Sequence, residues 1–192
     1  IAELNASQDL ELIPTFLGAH EIPDEYQDDR AGYIRILIEE MIPLIAERQL
    51  ARFCDVFCEK GVFTVEESRR ILRAAREHGL EPKLHADELH AFGGAELAAE
   101  MRAVSADHLV RVSDRGIREM ASMQVIPVLL PGTTFFLGKE EYAPARKFID
   151  AGCQLAVSTD FNPGSSTTQN MQLMWTLGAL KLRLSPEELL WA

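Results

Sequence analysis

The chain is short of cysteine, of basic charge and of long apolar runs, and each shortage excludes something. Three cysteines occur, Cys54, Cys58 and Cys153. So sparse and odd a set fits a reducing compartment, read as the cytoplasm, better than a disulfide framework. Cys54 and Cys58 form C-x3-C inside an apolar run with no further cysteine or histidine close by, so they read as buried small hydrophobes. Lys and Arg number 19 against 30 Asp and Glu, for a net charge of −11. That balance argues against nucleic acid or an anionic membrane as partner, because both attract basic surfaces. It leaves an anionic small substrate open, since a local site overrides the global field. No apolar run approaches the ~20 residues of a membrane helix, and no secretory leader is visible. H-E-x-x-H, G-x-S-x-G, the P-loop and G-x-G-x-x-G are all missing, which removes the common hydrolase and nucleotide signatures. Linkers, charge runs and internal repeats are missing too, so nothing marks a domain boundary. The chain opens on Ile1 without a methionine and stops at "LSPEELLWA" within a helical pattern, which reads as a piece of a longer protein.

What is present is a rhythm. Short apolar runs alternate with amphipathic helical patterns along the whole length. "LELIPTFLGAH" precedes "AGYIRILIEEMIPLIAERQ", and "ARFCDVFCEKGVF" precedes "TVEESRRILRAAREHG". Thr64 with Glu67 predicts a capped helix start there and Gly79 its stop. "EPKLHADEL", "ADHLVRV", "QVIPVLLPG" and "CQLAVSTDF" are each followed by a helical pattern, the last being "SSTTQNMQLMWTLGALKLR" with a serine-rich start. Continuous apolar strands between helices predict a parallel sheet covered on both faces. An open doubly wound sheet and a barrel both fit. A complete (β/α)8 barrel takes ~250 residues, so these six strand–helix units would be a partial TIM barrel.

Polar residues collect at the strand ends: His20, Asp55 with Glu59, His85 with Glu88, His108, and Asp160 with Asn162. In a barrel, the C-terminal ends of the strands converge on one face and carry the catalytic groups. Singly, each has an ordinary explanation. A lone histidine is more often a satisfied core residue than a ligand. Asp160 could cap the helix after its turn. Asp55 and Glu59 could pair with Arg52 or Lys60 at the rim, and His90 reads as solvated. Together, three strand-end histidines and one aspartate supply the nitrogen and oxygen donors of a catalytic Zn²⁺ or Fe²⁺ site. The H-x-x-E of "HADE" places Glu88 to shuttle protons beside such a site.

The blocks "FLGAHEIPDEY", "DVFCEKGVF", "KLHADELHAFGGAELAAE", "SADHL", "VLLPGTTFFL" and "STDFNPGSS" together resemble the imidazolonepropionase family of the metal-dependent amidohydrolase superfamily. The resemblance runs from about Thr15 to the C-terminus. It implies that the six units are strands 3–8 of the family barrel, holding one Zn²⁺ or Fe ion per chain. Two ligands come from an H-x-H on the first strand of the family barrel, and the other two fall on His85 and Asp160. The resemblance makes Glu88, His108 and Asp160 catalytic, and places His20, Glu88, Asn162, Gly164 and Ser165 on the substrate. It implies hydrolysis of the ring amide of 4-imidazolone-5-propanoate, a small molecule, to N-formimino-L-glutamate by metal-activated water. A homodimer is compatible with it. The rivals are another metal-dependent amidohydrolase, such as a heterocycle or nucleobase deaminase, and a non-catalytic barrel fragment. No H-x-H occurs in the chain. Residues 1–192 are therefore expected to be an incomplete barrel domain, with the first two strands and a β-sandwich domain outside them. The Asn-Pro-Gly turn and the hydroxyls after it are expected to lie at a helix start, where an anion such as the propanoate carboxylate is favoured.

Overall fold

The apolar runs become strands that pair in the order in which the chain makes them. β1 (Thr15–Ala19), β2 (Phe53–Cys58), β3 (Glu81–Ala86), β4 (Ser105–His108), β5 (Ile126–Leu129) and β6 (Ala156–Val157) form one parallel sheet, each strand beside its predecessor. The computed structural model describes residues 1–192, with every side chain except that of Ala2. Parallel neighbours need a crossover, and helices supply it. After a short α1 (Ala2–Asn5), α2 (Arg30–Ile36) runs through a π-helical stretch, Leu37–Met41, into α3 (Ile42–Glu47). Then come α4 (Val65–Glu77), α5 (Gly94–Glu100), α6 (Asp114–Met123), α7 (Pro131–Phe136), α8 (Ala145–Asp150), α9 (Met171–Leu180) and α10 (Pro186–Trp191). This is a partial (β/α) barrel, one of the two arrangements that the alternation in the sequence allows. Among the described residues, no helix is long and apolar enough to cross a membrane.

The two faces of the sheet differ in chemistry. Cys54, Val56, Cys58, Leu84, Ala86 and Ala106 alternate onto one face and are fully buried. Helices α4 and α5 pack there, α4 through Ile71, Leu72 and Ala75 at helical spacing. The other face carries Asp55, Lys83, His85, Ser105 and Asp107, so the strands are not the uniformly apolar runs that the sequence suggests. These polar side chains line the barrel interior below the strand ends.

The capping box at Thr64 and Glu67 is formed, with Thr64 Oγ1 accepting from Glu67 N and Glu67 Oε2 accepting from Thr64 N. Gly79, at φ +84°, ends α4 as expected, with Leu80 N donating to Ala75 O across it. Two helix expectations need correction. "PGTTFF" is a helix, α7, where the sequence reads as a strand through Pro131 and Gly132 with no helix in the residues directly after them; Pro131 opens it with its φ already helical. The last crossover helix starts at Met171, capped by Asn170, and not at the serines. The reason lies in Asn162. Its Oδ1 accepts from Gly164 N and Ser165 N, each at 2.8 Å, and its backbone N–H donates to Ser166 O, which closes a turn before any helix begins. Asp160 likewise caps no helix.

Glu67 also ties units together. Arg30 donates to both of its carboxylate oxygens, at 2.6 and 2.8 Å, donates to Val62 O, and lies 5.3 Å from the Phe63 ring centre. The hydrogen bond from Arg30 holds the Glu67 carboxyl down at about 2. A depressed acid stabilises the fold above its unfolded value, near 4.5, and that contribution fades as pH falls from there toward 2. Glu67→Ala should therefore cost about 2 kcal/mol at neutral pH, from a broken bidentate pair and a lost cap. Denaturant melts at pH 7 and pH 3 check it: the gap between wild type and variant must shrink at the lower pH.

Candidate metal centre

A cleft of about 600 Å³ opens at the C-terminal ends of the strands, and His20, His85, Glu88, His108, Asp160 and Asn162 line it. His20 follows β1, and its ring meets that of His85 edge-on at 4.6 Å between centres. His85, on β3, lies level with Phe57 of β2 and Asp107 of β4 and points into the barrel. His108 ends β4 in register with Ala86, whose side chain faces the helices. Its φ of +71° breaks the strand there, and its ring lies 5.3 Å from that of His85. Asp160, at φ +51°, accepts a 2.5 Å hydrogen bond on Oδ2 from Thr133 Oγ1 of α7.

His85, His108 and Asp160 each offer one donor atom within 4.8 Å of the others. A second trio, Asp55, His85 and Asp107, meets the same criterion deeper in the barrel, but it is a supporting layer. Asp55 Oδ1 stands 2.7 Å from His85 Nδ1, which fixes the ring and turns Nε2 toward the cleft. A carboxylate on the far nitrogen is the usual support of a metal-bound histidine. Burial draws the His85 imidazolium down, but Asp55, with Asp107 and Asp160 behind it, outweighs burial and holds it at about 9. A cation must displace that proton to bind. Burial, followed by His85 and His20, pushes His108 well below the usual histidine range, so its ring is neutral. Burial, then His85, also lowers His20, whose buried Nε2 has no hydrogen-bond partner. Two imidazoles, that of His85 once its proton is displaced, and one carboxylate beside an open cleft fit a borderline cation of the Zn²⁺ or Fe²⁺ type.

Glu88 sits at the rim, with Oε2 3.6 Å from His108 Nε2. Burial is the main cause that lifts its carboxyl to about 7, helped by Asp160 and Glu59 against the pull of His85. Such a group changes protonation near neutral pH.

The structure thus gathers seven of the eight residues singled out from sequence. Gly164 is the exception: it is exposed, and its N–H is taken by Asn162. Asn162 and Ser165 line the cleft, yet the Asn162 amide donates to Asp160 O at 2.7 Å and to Ser165 Oγ at 3.0 Å. The turn is satisfied from within, and Ser165 is not at a helix start. Asp55 is no rim residue but the buried partner of His85. Glu59 pairs with no lysine or arginine side chain; it accepts from His90 Nδ1 at 3.0 Å, so His90 is a partner and not merely solvated. Thr133 carried no signal beyond the "PGTT" block.

No family model matches the chain. It is 54% identical over 188 residues to the imidazolonepropionase of Alkaliphilus metalliredigens, and 54% identical over 187 residues to that of Geobacillus thermodenitrificans. These matches take in 98% and 97% of this chain and 44% of each relative. The chain therefore spans less than half the length of the curated relatives it matches. Among solved structures, a zinc-bound adenosine deaminase from Xanthomonas campestris matches with a TM-score of 0.63 at 17% identity, over 86% of this chain and 41% of that one. A guanine deaminase from C. acetobutylicum, with guanine in its active site, matches with a TM-score of 0.62 at 15% identity, over 93% of this chain and 49% of that one. Both likenesses are of fold.

Proposed function

We infer that this chain is part of an imidazolonepropionase, and that the whole enzyme opens the ring of 4-imidazolone-5-propanoate by adding water across its amide C–N bond, giving N-formimino-L-glutamate. One observation carries the reading: the His85, His108 and Asp160 donors, with Glu88 beside them, occupy the cleft of a chain half identical to imidazolonepropionases along nearly its whole length.

His85 and Asp160 hold one Zn²⁺ or Fe ion, with two further histidines supplied by the part of the enzyme outside this chain. When bound, the ion supplies Lewis acidity, which activates water and polarises the ring carbonyl at neutral pH. Asp55 keeps the His85 ring in one tautomer through the 2.7 Å contact. Asp160, steadied by Thr133, takes the proton from the attacking water. His108, held neutral by burial, orients that water through a ring nitrogen. Glu88 gives a proton to the departing ring nitrogen, for which a carboxyl held near 7 is suited. His20 closes the side of the pocket beside the substrate ring.

The test is turnover by the full-length protein that contains this segment. 4-Imidazolone-5-propanoate must be consumed with stoichiometric N-formimino-L-glutamate. Ammonia release from aminopurines, with the imidazolone untouched, would instead assign it to the deaminases that share its fold.

The turn behind Asp160 belongs to the same reading as a wall that holds Asp160, because its polar atoms face one another. Asn162→Ala should then lower kcat/KM about 10-fold for the propanoate substrate, since small misplacement of a reacting group is costly. The loss should be equal for a ring analogue lacking the carboxylate. A loss confined to the carboxylated substrate would make Asn162 the reader of that carboxylate.

A further inference from the structure

Glu59 is the first residue after β2 and is fully buried. A carboxylate cut off from water must find donors within the protein. Its Oε1 accepts from Lys60 N at 2.8 Å and faces His90 Nδ1 at 3.0 Å. Its Oε2 accepts from Leu89 N at 2.9 Å and from His90 N at 3.3 Å. Those two amides come immediately after Glu88.

The residue before Glu88 is pinned as well. Asp87 is buried at φ +50°, and its carboxylate accepts from the backbone N–H groups of Phe92, Gly93, Gly94 and Ala95 at 2.8 to 3.2 Å. That tie is local and secures the loop to the start of α5. There the chain passes so close to β3 that a Cβ on Gly94 would meet Ala86 Cβ at 2.7 Å. The Glu59 tie crosses from the neighbouring unit, so it fixes where the loop stands relative to the barrel mouth. Burying a carboxylate to hold two amides is a costly way to close a loop, since each buried polar atom must keep its partners. What the arrangement secures is the backbone on both sides of Glu88.

We propose that Glu59 is a positioning residue that sets the reach of Glu88 to the reacting atoms. This rests on the reading of Glu88 as the proton carrier. The experiment uses the full-length enzyme with Glu59→Ala, Glu59→Gln and Glu88→Gln, and the Glu59→Ala/Glu88→Gln double variant. Glu59→Ala should lower kcat at least about 10-fold with KM within about 2-fold, the pattern of an interaction made in the transition state. Metal content should hold, and amide hydrogen exchange at Leu89 and His90 should quicken. Glu59→Gln, whose amide oxygen still accepts from the Leu89 and His90 N–H groups while its NH2 meets the Lys60 N–H, should recover part of the rate. In the Glu88→Gln background the Glu59→Ala loss should nearly vanish, because residues acting as one unit are not additive. If Glu59→Ala does not fold, Glu59→Asp keeps the charge, shortens its reach and carries the same comparison. A Glu59 loss undiminished in the Glu88→Gln background, or Leu89 and His90 amides that stay protected, overturns the proposal alone. An unchanged kcat in Glu88→Gln by itself overturns the proton-carrier reading, and this proposal with it.

Discussion

Asp160→Ala should strip the full-length enzyme of its metal and with it nearly all turnover, and His85→Ala should do the same. Asp160 sits in left-handed backbone, facing two imidazoles and held by Thr133. A carboxylate so placed is a good ligand, because it stands with two imidazoles at an open cleft. His85 has its outer nitrogen held by Asp55, leaving Nε2 for the ion. Loss of the Lewis acid removes several kcal/mol of transition-state stabilisation, so kcat/KM should fall by at least about 10³-fold. Elemental analysis beside steady-state rates decides it: either variant with full metal and full rate would remove that residue from the ligand set. Thr133→Val gives the graded control. It withdraws one supporting hydrogen bond and should cost about 10-fold to 100-fold in metal affinity or rate, the usual effect of a ligand's support.

Glu88→Gln should lower kcat by roughly 10²-fold or more while metal content stays near normal. The amide keeps the size and the contact with His108 but cannot pass a proton. Burial has already placed the natural carboxyl at about 7, where both of its forms are populated near neutrality. Metal loss in step with the rate loss would recast Glu88 as a structural support of the centre.

The alternation of units was readable because it is local. Thr64, Glu67 and Gly79 bracket α4 within one stretch of chain, and the strand-end histidines stand where barrel geometry needs them. What escaped depends on partners far apart in sequence or on backbone shape. Asp55 and His85 meet because parallel register sets β2 beside β3, and a single sequence does not print register. The left-handed backbone at Asp87, His108 and Asp160 is sterically uncommon for residues with a side chain. Yet that geometry turns His108 away from the face its strand parity assigns. Ser165 and Ser166 invited a helix start because serine caps helices, but the Asn162 side chain accepts from Gly164 N and Ser165 N and draws this stretch into a turn. The misplaced start of α9 has that cause.

The pairing of each strand with the one before it also governs how such a chain is made. A strand–helix unit is on the order of 30 residues, and synthesis proceeds at ~5–20 residues per second. A new unit therefore leaves the ribosome every few seconds, far slower than the microseconds in which helices and short loops form. Each strand finds its template already in place, so no edge waits long for a distant partner. The side chains of the cleft arrive in the same sequence: His85, then His108, and last Asp160, beyond β6. The three stand together only once β6 has docked beside β5.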